Sequence, residues 1–246
     1  MNLYQADLHI HSVLSPCADL EMSPGNIVSM AKNMGLSIIA ITDHNSTLHA
    51  PLTRHLAENA GILAIYGAEV TTREEVHCVC LFADEDSRAD FQNFLEVHIQ
   101  KVPNKPDILG YQVVVNEKEE IIEEVEYSLH GALNVGINEL EAVVHAMNGI
   151  FIPAHIDRPK YSLTSQLGFV PPDLNYDALE VSINSSIESI CVHNPSLKRK
   201  RFIRSSDAHF IEQVGSVTTT FRMENLNFDG LLKAIKGIDG YDIMLP

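Results

Sequence analysis

Ser37-Ile-Ile-Ala-Ile-Thr-Asp-His44 constrains the fold more than any other stretch. It has no water-facing side until its last three residues, which is how a strand covered on both faces reads, as in a parallel sheet wrapped by helices. The form recurs along the chain. Leu63 to Val70 and Ile150 to His155 are apolar until they reach Glu69 and His155, and Val76 to Phe82, Leu179 to Ile183 and Phe202 to His209 join the opening strand, Gln5 to Ser12, in a series of seven. Helical patterns alternate with these strands. One follows the Ser23-Pro24 cap and ends near Gly35, and others run from about Leu48 to Asn59, Ser87 to Lys101 and Ile137 to Asn148. Apart from a direct third-to-fourth connection, strand followed by helix implies a parallel α/β barrel with its site at the C-terminal rim.

The alternation breaks at Val102-Pro-Asn-Lys-Pro106. Tyr111 to Val125 then reads as a β-hairpin turning near Asn116 to Glu119, so residues 103–130 are expected to form a ribbon inserted outside the barrel. With 246 residues, no internal repeat and no Pro/Gly/Ser-rich linker, residues 1–246 are expected to make one domain.

The first strand carries the most unusual chemistry. Period-two spacing puts Asp7, His9 and His11 on one face and Ala6, Leu8 and Ile10 on the other. Two adjacent buried imidazoles leave nitrogens that need partners, and a metal ion supplies one. Later strand ends add Asp43 with His44, Glu69, His77, His155, and Asp207 with His209. Imidazole with carboxylate is a donor set for zinc, manganese or iron, and a glutamate among histidines suits a bridge between two ions. Asp19, in the loop after the first strand, is placed to reach the same ions.

Asp7-Leu-His-Ile-His-Ser12, Ile41-Thr-Asp-His-Asn45, Gly67-Ala-Glu69, His77, Pro153-Ala-His155 and Ser206-Asp-Ala-His209 together resemble the polymerase and histidinol phosphatase (PHP) family of metal-dependent phosphoesterases. The resemblance implies a distorted seven-stranded TIM-like barrel with a trinuclear site of manganese, zinc or iron. Its ligands would be His9, His11, Asp19, His44, Glu69 as the bridge, His77, His155, Asp207 and His209. In many relatives the first loop reads Ser-Asp-Gly, whereas Pro16-Cys17-Ala18 precedes Asp19 here. Relatives that hydrolyse oligonucleotides often carry a longer helical insertion after the fourth strand than this ribbon.

The expected reaction is hydrolysis of a phosphate mono- or diester, on nucleotides or short oligonucleotides, by a water that the ions sharing Glu69 activate for in-line attack. Asp207 belongs to the same machinery, and His209 or a metal-held water would protonate the leaving group. Arg158 is the first candidate to grip phosphate and Arg73 the second. Asp43 and Asp7 are expected to fix imidazole tautomers, and Ser12 and Asn45 to orient rim loops. Cys17, close to the expected site, reads as a soft ligand or, as favoured here, a small loop residue; the ordinary readings are core residues for Cys78 and Cys80, and surface or core histidines for His49, His55, His98, His130, His145 and His193. Lys198 to Arg201 reads as a solvated helix end away from the site.

Thirty-three acidic against seventeen basic residues give a formal charge of -16, which disfavours a long nucleic-acid tract as partner. Four cysteines without Cys-x-x-Cys spacing suggest neither a disulfide framework nor a zinc ribbon. No apolar run approaches the ~20 residues needed to span a bilayer, and no leader pattern opens the chain, so a cytoplasmic protein is expected. Two other readings remain. One is an amidohydrolase, whose barrels also begin with His-x-His but bridge their metals with a carboxylated lysine, which no strand end here offers. The other is a non-catalytic domain that keeps metal for stability or binding.

Overall fold

The computed structural model describes residues 1–245. In chain order the strands are β1 (Asn2–Ile10), β2 (Ile38–Ile41), β3 (Leu63–Thr71), β4 (His77–Phe82), β5 (Val113–Val115), β6 (Ile121–Glu124), β7 (Ile150–Pro153), β8 (Leu179–Glu180), β9 (Phe202–Ile203), β10 (Thr219–Met223) and β11 (Asp242–Met244). The helices are α1 (Pro24–Asn33), α2 (Ala50–Ala60), α3 (Glu85–His98), α4 (Pro106–Leu109), α5 (Ile137–Ala146), α6 (Leu163–Leu167), α7 (Ile187–His193) and α8 (Phe228–Lys236). Local chemistry sets their ends. Ser23 caps α1 by accepting from the Asn26 amide, Asp84 caps α3 through the Ser87 amide, and Asn227 caps α8 through the Gly230 amide. The Asp84 cap starts α3 earlier than periodicity alone predicts.

The main sheet runs β11-β10-β1-β2-β3-β4-β7. It curls and closes through irregular links. The Asp177 amide donates to the Phe151 carbonyl and the Ile156 amide to the Glu180 carbonyl, joining β7 to β8, which pairs with β9. A bridge between Ile10 and Ala208 returns to β1. Strands β1, β2, β3, β4, β7, β8 and β9 thus make the seven-stranded distorted barrel. Two features correct the sequence reading. β4 is antiparallel to both β3 and β7, because Thr72–Val76 is too short for a crossover and folds as a hairpin turn. β10 and β11 also extend the sheet antiparallel beyond β1, with α8 packed on them; neither strand carries the apolar run that marks the others.

Alternate residues sort the two faces. Ala6, Leu8, Ile38, Ala40, Ile65, Val79, Leu81, Ile150 and Ile152 pack together inside the barrel. Cys78 and Cys80 face the helices, beside Phe91 and Leu95 of α3 and Leu140 of α5. Following the inward face up each strand leads from Ile65 to Glu69, from Val79 to His77, and from Ala40 to Thr42 and His44. The polar centre is therefore the top layer of the interior. Gly67, between Ile65 and Glu69, is required by closeness, since a Cβ there would lie 2.8 Å from Leu81 and 2.9 Å from Thr42. In β1 the simple alternation fails. A register shift between Asp7 and Ile10 moves Ile10 into the outer packing with α1 and α2 and turns Asp7 to the Ser206 and Gly215 backbone.

The excursion between α3 and α5 contains the expected hairpin, β5 paired with β6, its turn held by Asn116 Oδ1 accepting from the Lys118 and Glu120 amides. It is seated on the barrel. Val113 and Val115 pack on Val13 in the loop after β1. The Ser23 hydroxyl donates to Glu119, and His55 lies 3.3 Å from Glu117.

Candidate metal centre

Glu69 occupies the middle of the rim. Its Oε1 lies 2.9 Å from His77 Nδ1, 3.2 Å from His9 Nε2 and 3.2 Å from His155 Nε2, while Oε2 lies 3.0 Å from His44 Nδ1 and 3.4 Å from His11 Nε2. Asp207 Oδ1 is 3.1 Å from His11 Nε2 and 3.4 Å from His9 Nε2. Of the expected ligands, the structure therefore brings His9, His11, His44, Glu69, His77, His155 and Asp207 together, and His209 adjoins them 4.4 Å from His11, ring centre to ring centre.

The ring orientations are dictated from behind. His9 Nδ1 donates to Glu180 Oε2 at 3.0 Å. Ser15 Oγ donates to Asp43 Oδ1, so it accepts from His11 Nδ1, also at 3.0 Å. Both rings thus present Nε2 lone pairs inward, and these two atoms face each other at 3.3 Å in a space closed to water. His155 Nδ1 is buried without a hydrogen-bond partner, and His44 Nδ1 faces the Glu69 carboxylate. Lone pairs and carboxylate oxygens crowded together in a dry space repel unless cations lie among them, so the residues present fit divalent metal ions. Asp43 acts on His11 through Ser15 rather than directly. Asp7 touches no imidazole: it accepts from the Ser206 amide and hydroxyl and the Gly215 amide, which corrects its expected role.

Charge follows the geometry. Burial opposes ionisation of Glu69, but His77 and His9 with hydrogen bonds from His155 and His44 outweigh it, holding the carboxyl well below its usual range. Burial likewise opposes charge on His9, and Glu180, Glu69 and Asp207 overcome it, raising that ring well above normal. His11 goes the other way, to about 4, through burial and the nearby His209 and His44. Asp207 is held low against burial by His9 and His11. Burial alone pushes Asp7 up to about 6, its hydrogen bonds only partly offsetting this.

The backbone is unusual at the same places. His155 has φ 29° and Asp207 φ 51°, left-handed values that non-glycine residues adopt at a cost of order 1–3 kcal/mol. Arg158, in the turn after β7, brings Nη1 to 2.5 Å from Asp207 Oδ2 while its side chain stays 40% exposed. A cavity of about 410 Å3 opens over the centre, with Arg158, Tyr161, Leu109 and His130 on its walls. Tyr161 stacks on His77 at 4.6 Å.

Several expectations land elsewhere. The Asp19 carboxylate is not brought to the cluster: it is exposed and accepts from the Glu21 amide, and the tight turn from Ser12 to Ala18 puts Cys17 at the centre instead. Burial opposes ionisation of the Cys17 thiol, but hydrogen bonds from His130, His209 and His44 lower it to about 3. The same contact, with Glu69, lifts His44 against burial to about 10. Arg73 faces a separate groove beside Glu74 and Gly136. Arg201 of the basic run donates to the last carbonyls of α8 and to Asp242, away from the site. His130 lines the cavity, 4.8 Å from His44 ring to ring. His49 is a core residue: it donates from Nδ1 to the Ser12 hydroxyl and accepts at Nε2 from the Val115 amide. Glu180 was not among the expected residues, although a carboxylate inside the apolar run Ala178 to Val181 requires a buried partner.

A curled barrel with nitrogen and oxygen donors gathered on one rim defines a class of metal-binding α/β proteins. Within that class the chain belongs to the PHP domain family: the PHP domain model matches residues 7–156, and the PHP-associated model matches residues 198–237. An uncharacterized protein of Methanocaldococcus jannaschii, MJ1587, is 34% identical over 90 residues, 33% of this chain and 52% of that one. The chain thus spans about half the length of that relative. Among solved structures, the lesion-specific endonuclease PfuEndoQ from Pyrococcus furiosus superposes with a TM-score of 0.75 at 20% identity, over 99% of this chain and 58% of its own. An amidohydrolase from Chromobacterium violaceum superposes with a TM-score of 0.59 at 17% identity, over 98% of both chains. At these identities both show the shared fold.

Proposed function

We propose that the chain is a phosphoesterase dependent on divalent metal ions, three in number, that hydrolyses phosphate mono- or diesters of nucleotides or short oligonucleotides, as a phosphatase or a 5′-to-3′ exonuclease. The carrying observation is Glu69, ringed by five imidazoles, beneath an open cavity with Arg158 on its wall. The residues that would hold zinc, manganese or iron are His9, His11, His44, Glu69, His77, His155, Asp207 and His209. Bound there, the ions supply Lewis-acid polarisation of phosphoryl oxygens and a lowered pKa for water.

The remaining chemistry lies in side chains. Glu180 and Ser15 hold the His9 and His11 rings so that Nε2 points inward. Arg158 offers a planar, permanently charged fork to the phosphoryl oxygens from a side chain already beside Asp207. His209 donates from Nδ1 to the Asp207 carbonyl, so its Nε2 faces the centre as a donor atom for metal. Tyr161 and Leu109 give the cavity an apolar wall. A cavity of about 410 Å3 and a charge of -16 suit a small phosphorylated molecule better than a long duplex. The endonuclease among the structural neighbours supports a nucleotide-containing substrate. The amidohydrolase neighbour supports the rival reading less well, because no lysine lines the main cavity among the described residues and Glu69 fills the bridging place. Because residues on both sides of the ribbon close one barrel, we treat 1–246 as one functional unit.

The test is turnover of an aryl phosphate, an aryl phosphodiester, histidinol phosphate, a 3′,5′-bisphosphonucleotide and a 5′-phosphorylated oligonucleotide, with manganese added and metal content measured. Phosphate or nucleotide release that Asp207→Ala abolishes is expected. Silence across the panel by protein carrying its metals would overturn the reading.

A further inference from the structure

Three groups of donors surround the centre, and one differs in kind. His9, His11 and Glu69 form one, and His44, Glu69 and His77 another; both contain the Glu69 carboxylate. The third, His11, Cys17, His44 and His209, contains none, and its four donor atoms lie within 4.8 Å of one another. Its three rings are packed face to tilted face, His11 lying 4.5 Å from His44 and 4.4 Å from His209 between ring centres. Two of them have their outer nitrogens committed: His11 Nδ1 to Ser15 Oγ, and His209 Nδ1 to the Asp207 carbonyl. His44 is buried, and its Nδ1 lies 3.0 Å from Glu69 Oε2. His44 and His209 therefore each keep their second nitrogen for an ion beside the sulfur, whereas the one free nitrogen of His11, Nε2, faces Glu69 and Asp207.

From this arrangement we infer that His44, His209 and the Cys17 thiolate form a nitrogen–sulfur metal site packed against His11, with Cys17 taking the place that the loop motif offers to Asp19. Thiolate and imidazole favour zinc, and cobalt in its place, over manganese, whereas the Glu69 groups are nitrogen–oxygen sites open to manganese. The centre is then chemically divided, with a soft position under the first loop and harder ones around Glu69. Cys17 is the thiol to carry this role, because Cys78 and Cys80 pack in the outer core against α3 and Cys191 lies on α7. The inference rests on the centre binding metal and not on its esterase activity.

Cobalt loading of the chelator-stripped protein tests it. The native sequence is expected to show a near-ultraviolet thiolate-to-cobalt charge-transfer band that is absent in Cys17→Ser and Cys17→Asp and kept in Asp19→Asn. Cys17→Asp should also move the zinc-over-manganese preference at least ~10-fold towards manganese, the scale on which even indirect changes around metal ligands act. In case a variant fails to fold, zinc added to the native protein should slow alkylation of Cys17 at least ~10-fold. No band with cobalt bound, a band that survives in Cys17→Ser, or alkylation that zinc leaves unchanged would each overturn the inference. Turnover without the band overturns this site alone, and the band without turnover overturns the esterase reading alone.

Discussion

Glu180 offers the sharpest test of how the centre is held. One buried carboxylate oxygen, Oε2, accepts from His9 Nδ1 at 3.0 Å and from the His155 amide at 3.0 Å, so a single side chain orients two of the expected ligands. In Glu180→Ala both buried donors lose their partner. At about 1–3 kcal/mol for each stranded donor, the metal-free protein should lose roughly 2–6 kcal/mol. For a chain of this size that lowers the melting temperature by roughly 5–20 °C. Glu180→Gln keeps an acceptor in nearly the same place and removes the charge, so its main effect falls on the basicity of His9. Its zinc affinity, measured by competition with a chromophoric chelator, should drop about 10–100-fold, while the melting temperature of the metal-free protein moves less than in the alanine variant. Zinc affinity within ~2-fold of native in Glu180→Gln, with an unchanged melting temperature in Glu180→Ala, would refute the idea that this carboxylate organises the site.

Three further outcomes follow from the same geometry. Asp7 is raised from 3.8 to about 6, so its contribution to stability is fully present below pH 3.8 and is lost as pH rises through about 6. Chemical denaturation of the metal-free protein between pH 4 and 7 should show the native sequence losing about 2 kcal/mol relative to Asp7→Asn, and a pH-independent difference would refute the shift. Arg158→Ala should raise KM for a phosphate ester about 10–100-fold with metal content unchanged, and Arg158→Lys should recover only part of this because it cannot form the fork. Steady-state kinetics that leave KM unchanged would remove Arg158 from substrate binding. His49→Phe removes the acceptor for the Val115 amide and the donor to Ser12, so hydrogen exchange at Val115 should accelerate while exchange in β2 and β3 stays slow; equal acceleration throughout would mean that His49 supports the barrel and not the ribbon.

How much of this was legible in the sequence depended on how far each residue's partners lay along the chain. The strand ending in His44 announces itself because its burial on both faces is a local property, and the same holds for Glu69 at the end of β3. The hairpin was visible because Asn116 and its neighbours form a self-contained turn. Glu180 was not visible, because its value comes from His9, 171 positions away. The antiparallel course of β4 was only hinted at by a short connection, and β10 with β11 carried no apolar run. Asp19 was the natural choice from residue type, yet loop geometry and not residue type selects the side chain that reaches the centre, and the turn at Ser15 favours Cys17. Period-two reasoning placed His9 and His11 together but failed for Asp7, which lies across the register shift.

The ribbon has a consequence for how such a protein can change. The donor atoms rise from the barrel strands and their rim loops, whereas Leu109 and His130, which wall the cavity, come from the excursion between α3 and α5. Affinity for the ions and the share of selectivity that Leu109 and His130 carry, beside Arg158 and Tyr161, are thus written into different stretches of chain. Lengthening, trimming or exchanging residues 103–130 can remodel the mouth while leaving Glu69 and its histidines in place, so a lineage can acquire new substrates without reinventing its catalyst.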